Sequence, residues 1–461
     1  MKIVFLLIPF FCFSNTKIKC KIVDKNNTPI PYVNIFIKNT PIGTISNEDG
    51  MFEIKIPQNY LDKIVVLSSI GFKTKEIPIH KFQNLTTIQL EIETILLEEV
   101  LIGKKLSAEQ IVQKAFDNYY NNFPNTPFIT KGFIRHSERT KTNYKWLVEA
   151  ALQVYDSGFD KPNKETKTAI LEVRKSFDNR ELDTLSLYRF YLSEAKGLSF
   201  RKVYKNKLKV SDIPKEDIQK AIIFNDNRTS NPSYLFSKGL NIIRSYNQEK
   251  AIFDKKFLKK HTFKIDTILS LNDDDVYKIK ISPKSPPAKL NKNLGKYLLP
   301  FGWIYIRSKD YSIIELEYIL IYSNKGQIFT KINGSKIRSK FTIKFIEING
   351  KMYPKYIAYE RPKALNRFKS ILDSLAAKKT INKEHHYFAK QEILFTEIIT
   401  NEEEVHKLFI NTTWNDDLFS PRAYNEEYWK KNSILLETQE QKKLIFDLEK
   451  KASLKKQFRK N

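Results

Sequence analysis

The side chains able to do chemistry in this 461-residue chain are six histidines, two cysteines and many scattered carboxylates. The histidines are His80, His136, His261, His385, His386 and His406. A zinc hydrolase needs a His and a Glu close in sequence and a distant His, because three protein ligands leave one position for the activated water. None of the six stands in a His-x-x-Glu or His-Glu-x-x-His pattern, and His136-Ser137-Glu138 is a triplet that chance supplies. His385-His386 are expected at the surface or in a turn, since strand neighbours face opposite sides and cannot share a metal. Asp273-Asp274-Asp275 lacks the spaced oxygens and the Gly of a calcium loop and reads as a polar turn.

Nucleophilic and phosphate chemistry are equally unsupported. The chain has no Gly-x-Ser-x-Gly elbow and no Gly-rich loop before Lys-Ser or Lys-Thr. The cysteine pair of a zinc deaminase is missing. A thiol nucleophile would have to be Cys20, which lies in an alternating strand and is expected to be buried. Carboxylate pairs for glycoside chemistry depend on geometry that a sequence does not display. No catalytic, cofactor-binding or metal-ligating residue is assigned, and no cofactor is expected. A hydrolase without a readable motif is kept only as an alternative.

The N-terminus fixes the expected compartment. Met1-Lys2, an apolar run from Ile3 to Phe13, and small Cys12 and Ser14 before the cut make a secretory signal over residues 1–14. The run is barely half the roughly 20 residues that a helical bilayer span needs. Neither cysteine carries a lipobox, and no later segment is long and apolar enough to span as a helix. After cleavage Cys20 stands alone, so no intrachain disulfide is expected. The net charge is +27, of which residues 15–104 carry only +1. A basic field of that size suits anionic envelope components such as lipopolysaccharide, acidic glycan or lipid, and nucleic acid is excluded by export. An AT-rich coding bias toward Lys, Asn and Ile explains the same excess without any partner.

The elements that would position any site begin with a run of short strands. Lys17 to Asp24, Pro29 to Ile35, Ile42 to Phe52 and Val65 to Phe72 are bounded by turn clusters such as Asn26-Asn27-Thr28-Pro29 and Asn47-Glu48-Asp49-Gly50, the spacing of an all-β unit. Along Met51 to Ile56, apolar Phe52, Ile54 and Ile56 alternate with Glu53 and Lys55, which predicts one core face. With Gly43-Thr44 to Asp49-Gly50-Met51-Phe52 and Ile70-Gly71-Phe72 as its most specific features, this stretch resembles the carboxypeptidase regulatory-like domain. That resemblance covers residues 17–102 and implies a transthyretin-like, Ig-like β-sandwich of a Gram-negative envelope protein. Similar sandwiches precede TonB-dependent receptors, and the exit Leu97-Glu98-Glu99-Val100-Leu101-Ile102 is like theirs. The 359 residues that follow are too few for a plug and a barrel of roughly 22 strands, so a complete receptor is not expected.

A boundary is expected at Gly103-Lys104-Lys105. Ser107 with Gln110 forms a capping box, and Leu106 with Ile111 a hydrophobic staple, so a helix begins there; Ile111, Val112, Ala115, Phe116 and Tyr119 give it an apolar stripe. Beyond it, Phe128 to His136, Tyr144 to Tyr155 and Val276 to Tyr359 read as strands, with Asn349-Gly350 a type I′ hairpin turn. Residues 160–260 read as mixed with a loop at Asn225 to Ser233, Ser282 to Pro287 as a stiff loop, Leu365 to Lys379 as a helix, and Asn382 to Thr400 as strand. Asn411 to Tyr428 reads as irregular.

The expected architecture is mainly β: the sandwich at 15–102, an α+β second domain at 105–436 built on a large twisted antiparallel sheet with packed helices, and a basic helical or disordered tail at 437–461. The expected function is an exported, non-catalytic binding or scaffolding role at the periplasm or outer membrane, with outer-membrane proteins among the partners. Gly302-Trp303-Ile304-Tyr305-Ile306 and the long strand after it are loosely similar to the half-barrels that carry lipoproteins. A lipid or lipoprotein carrier is therefore the other reading.

Overall fold

The computed structural model describes residues 16–93, 106–139, 143–159, 166–176, parts of 184–221, 257–284, 297–364, 386–416, 418, 422–432 and 435–459. The expected signal at 1–14, the boundary at 103–105, the loop at 225–233 and the helix at 365–379 lie outside the described residues.

The first unit is a sandwich of seven strands. They are β1 (Thr16–Val23), β2 (Asn34–Ile37), β3 (Gly43–Ile45), β4 (Met51–Ile56), β5 (Ile64–Ser69), β6 (Phe72–Pro78) and β7 (Thr87–Gln89). One sheet has the order β4-β1-β7 and the other β3-β2-β5-β6. Alternate residues of both, including Ile22, Ile35, Ile54, Phe52, Val65 and Leu67, meet in a core of their own. The two-residue period of the sequence is thus realised as the inner face of each sheet.

Ten strands make the second sheet: β8 (Phe128–Arg139), β9 (Tyr144–Asp156), β10 (Lys167–Lys175), β11 (His261–Leu271), β12 (Asp274–Pro283), β13 (Leu298–Arg307), β14 (Ile313–Tyr322), β15 (Ile337–Ile348), β16 (Lys351–Ala364) and β17 (His386–Ile399). Two antiparallel meanders, β8–β10 and β11–β17, join where β17 pairs with β8, giving the order β10-β9-β8-β17-β16-β15-β14-β13-β12-β11. The β15–β16 turn is the expected one, with Asn349 and Gly350 at φ 51° and 73°. Ser282 and Pro283, read as loop, instead close β12. At Gly302 the neighbouring strand comes so close that a Cβ would sit 1.9 Å from the Glu317 carbonyl oxygen, so only glycine fits.

Every strand of this sheet gives side chains to one apolar cluster. Phe128, Ile134, Val148, Leu152, Ile304, Leu316, Ile343 and Ile393 belong to it, as do Ile111, Val112, Ala115 and Phe116 of the helix Ala108–Asp117. The sheet therefore curls around that helix. Its capping box is formed, with Gln110 N donating to Ser107 Oγ at 3.2 Å and Ser107 N to Gln110 Oε1 at 2.8 Å. Phe123, Phe159 and Phe257 fill the remaining width. The edge strand β10 is covered by the segment after residue 411: Ile170 N donates to Asn415 O, and Arg422 donates to Ile170 O. Residues 402–411, between the expected strand and the irregular segment, form a helix capped by Asn401.

Candidate functional site

The outer face of the ten-stranded sheet holds the unusual chemistry. Register places one residue from each strand in a single row: Arg174, Glu149, Arg135, Glu392, Ala358, Thr342, Glu317, Trp303, Lys280 and Lys264. An outer face of a sheet can be left to water. Here Arg135, Glu149 and Glu392 are buried, because the sandwich and the C-terminal helices lie over them.

A continuous hydrogen-bonded chain runs from the sheet edge to the sandwich. Arg174 and Arg135 both donate to Glu149, at 2.6 and 2.7 Å. Arg135 also donates to Gln441 Oε1 and to Leu435 O, and Gln441 Nε2 donates to Glu392. Glu392 accepts from Tyr356 at 2.8 Å and pairs with Lys390, which pairs with Glu48 at the tip of the sandwich. Glu48 accepts from the Tyr32 hydroxyl at 2.9 Å, and the Tyr32 ring packs on Tyr356. Burial raises the Glu149 carboxyl, but Arg174 and Arg135 more than offset it and hold it below the ordinary range. Burial lowers Lys390, and Glu392 and Glu48 reverse this to hold it charged.

Two further sets of bonds clamp the sandwich. On one side Asn47 Nδ2 donates to Leu436 O and Glu437 O, Gln439 N donates to Asp49, and Lys55 Nζ donates to Lys430 O and Asn432 O. The core face expected along Met51–Ile56 is formed by Phe52, Ile54 and Ile56, and Glu53 and Lys55 on the other face are buried too, because the C-terminal segment covers them. On the other side Gly71 N donates to Ser270 O, and Asn272 accepts from Ser68 and Thr74. Ile45 joins Phe133, Tyr356, Leu394, Trp429 and Leu435 in an apolar patch between the units. The segment expected as a basic helical or disordered tail forms the helices Gln439–Glu449 and Leu454–Phe458, whose Leu444, Leu448 and Phe458 pack on Leu147.

Two clefts open along this junction. One, of about 360 Å³, lies between Glu48, Lys390, Arg139, Tyr144 and Glu440. The other, of about 410 Å³, lies between β2 and the outer face of β13–β15. Acidic and basic side chains alternate in both, so the charge excess of the chain is not gathered there.

The residues weighed from sequence fall elsewhere. His136 and Glu138 share the inner side of β8, buried, with Nε2 to Oε1 at 3.1 Å, while Ser137 lines the first cleft. His261 is buried as well. Its Nδ1 donates to Phe257 O at 2.7 Å, so Nε2 is the acceptor for the Tyr318 hydroxyl at 2.8 Å, and the ring pins the start of β11. Asp273 and Asp274 stand at the β11–β12 turn. His385 lies outside the described residues and His386 opens β17. Cys20 is buried, and burial pushes its thiol up to about 11. Among the described residues no group of three or more His, Cys, Asp or Glu is arranged to hold a metal, and no helix is long and apolar enough to cross a membrane.

The junction residues Arg135, Glu149, Glu392 and Gln441 were missed from sequence. Their one signal was polar residues alternating with apolar ones, which is also the signal of a solvated face.

Comparison with known proteins supports the first unit. The family model of the CarboxypepD_reg-like domain matches residues 18–102, as the resemblance implied. Over the same part, the chain is similar to TonB-dependent receptor P39 of Formosa agariphila, 31% identical over 104 residues, 22% of this chain and 10% of the receptor. It is also similar to TonB-dependent receptor SusC of Bacteroides thetaiotaomicron, 31% identical over 99 residues, 22% of this chain and 9% of the receptor. The chain thus spans about a tenth of the length of these relatives. Among solved structures, a LolA superfamily protein from Nitrosomonas europaea covers 65% of this chain and 95% of its own, at 10% identity and a TM-score of 0.23. An outer membrane lipoprotein-sorting protein domain from Vibrio parahaemolyticus covers 66% and 98%, at 9% identity and a TM-score of 0.23. At those scores the likeness carries no argument about this chain.

Proposed function

We propose that the protein is an exported, non-catalytic binding platform of the Gram-negative envelope, acting at the periplasm or the outer membrane. The observation that carries this reading is the clamp. A CarboxypepD_reg-like sandwich is held on the outer face of a ten-stranded sheet by a polar chain, buried at Arg135, Glu149 and Glu392 and exposed at Glu48, and by two further sets of hydrogen bonds. Such a unit presents surfaces in fixed relation, which is what a scaffold or binding protein needs. The occurrence of similar sandwich segments in TonB-dependent receptors supports an outer-membrane setting. Envelope proteins or lipids are the partner classes in keeping with it.

The carrier reading draws on a different observation, the open curled sheet with an apolar inner face. A carrier must empty that face for acyl chains, and the helix Ala108–Asp117 occupies it. The platform reading is therefore preferred. Fractionation of a Gram-negative host with N-terminal sequencing, followed by assays of the purified chain on peptide, ester and glycoside substrates, tests it. A mature chain beginning near Asn15 in the envelope and no turnover are expected. Uncleaved Met1 in the cytosol, or turnover abolished by His136→Ala, would overturn it. Acyl lipid co-purifying at one equivalent would favour the carrier.

A further inference from the structure

One stretch of the outer face differs from the charged row at the junction. Along β13 the outward positions Leu299, Phe301 and Trp303 are half-exposed, in alternation with buried Pro300, Gly302 and Ile304. Register sets Leu299 beside Ile321 and Phe301 beside Ile319 on β14, and Ile321 beside Ile337 on β15. Six large apolar side chains on three neighbouring strands thus share one stretch of surface. None of them joins an apolar cluster of the described residues, and Ile337 is 41% exposed. A contiguous apolar patch edged by polar groups marks a surface for a membrane or a partner.

The charges around the patch choose between occupants. The carboxylates on this side are answered by cations: Glu315 by Lys344 at 2.6 Å and Asp266 by Lys278 at 3.6 Å, while Lys340, Lys344 and Lys278 all act on Glu317. Lys264 and Lys280, in one register row with Trp303, and Lys336, just before β15, are exposed and make no ion pair among the described residues. The rim is therefore basic. A second copy of the chain would set this rim against itself, since a two-fold contact brings the same patch from both sides. An anionic bilayer meets both parts of the patch. Its phosphates take ammonium groups whose stems lie along apolar surface, and its acyl boundary takes the aliphatic and aromatic rows. We propose that this face docks on an anionic lipid bilayer, with Phe301, Ile319 and Ile337 against the acyl boundary and Lys264, Lys280 and Lys336 on the lipid phosphates. The inference rests on the binding-platform reading and gives the platform a lipid surface as its partner.

The test sediments the full mature chain with vesicles of phosphatidylethanolamine and phosphatidylglycerol in equal parts, and with vesicles of phosphatidylcholine alone. Binding to the anionic vesicles only is expected. Lys264→Glu combined with Lys280→Glu, at exposed positions that should leave the melting curve unchanged, should weaken it by about tenfold or more. Phe301→Ser should weaken it by about tenfold. Lipid carrying a doxyl label should quench part of the tryptophan emission, and Trp303→Phe should remove that part. Silence on anionic vesicles up to about 1 mM lipid, equal binding to phosphatidylcholine, or binding that survives the double lysine change would each overturn the inference. So would quenching that survives Trp303→Phe, or a dimer that Phe301→Ser dissolves. Any of these with export intact would sink only this inference. A cytosolic location would sink the platform reading itself.

Discussion

The two faces of the ten-stranded sheet obey the same two-residue period and do opposite things. The inner face is apolar and closes on the helix Ala108–Asp117. The outer face carries Arg174, Glu149, Arg135 and Glu392, and yet it too is covered over much of its width. Apolar burial is non-directional and tolerates exchange of similar shapes. A buried charged chain tolerates little, because each member left unpaired retains its desolvation cost. The outer face should therefore fix how the units sit, and the inner face should supply most of the stability.

The largest effect is expected on the outer face. Arg135→Ala strands Glu149 with one partner and removes the bonds to Gln441 and Leu435, costing about 3–5 kcal/mol in urea unfolding. A loss below 1 kcal/mol would show that the chain is not fastened there. On the inner face, Leu316→Ala should cost about 2–5 kcal/mol by leaving a cavity, without loosening the sandwich from the sheet in hydrogen exchange.

Lys355 sharpens the contrast with the opposite sign. It is buried on β16, and burial alone pulls its ammonium down to about 7 from 10.5. Below about 7 both folded and unfolded chains hold the proton and the native state bears the full burial penalty. Between about 7 and 10.5 only the unfolded chain holds it, so stability rises with pH across that window. Lys355→Met should stabilise the protein by about 1–3 kcal/mol at neutral pH and flatten that rise. The smallest effect is expected at the helix start, where Ser107→Ala removes the capping box for about 1 kcal/mol. Equal effects of Ser107→Ala and Arg135→Ala would erase the distinction between the faces.

What was legible in the sequence was local. The capping box at Ser107 and Gln110, the turn at Asn349-Gly350, and the strands through Ile314–Tyr322 and Phe341–Phe345 all depend on neighbours within a few residues, and all are present. The mainly β architecture followed from the same signals. The junction was not legible, because what covers Glu53, Lys55 and Arg135 comes from residues hundreds of positions away. Alternation says which side chains leave the core; it does not say whether water or another segment meets them. The basic segment 437–461 was similarly ambiguous, because Leu444 and Leu448 pack on Leu147, which is far away in sequence.

The central claim is that the sandwich and the sheet form one fixed body. Spin labels placed at exposed Lys75 on β6 and Lys280 on β12 report on it directly in the full chain, with Cys12 replaced by Ser. Cys20 stays silent because its thiol is buried. Double electron–electron resonance should give one narrow distance distribution, unchanged by added salt because bonds to backbone atoms and the apolar patch around Ile45 fasten the units beside the exposed Glu48–Lys390 pair. A broad or salt-dependent distribution in the wild-type background would contradict the account.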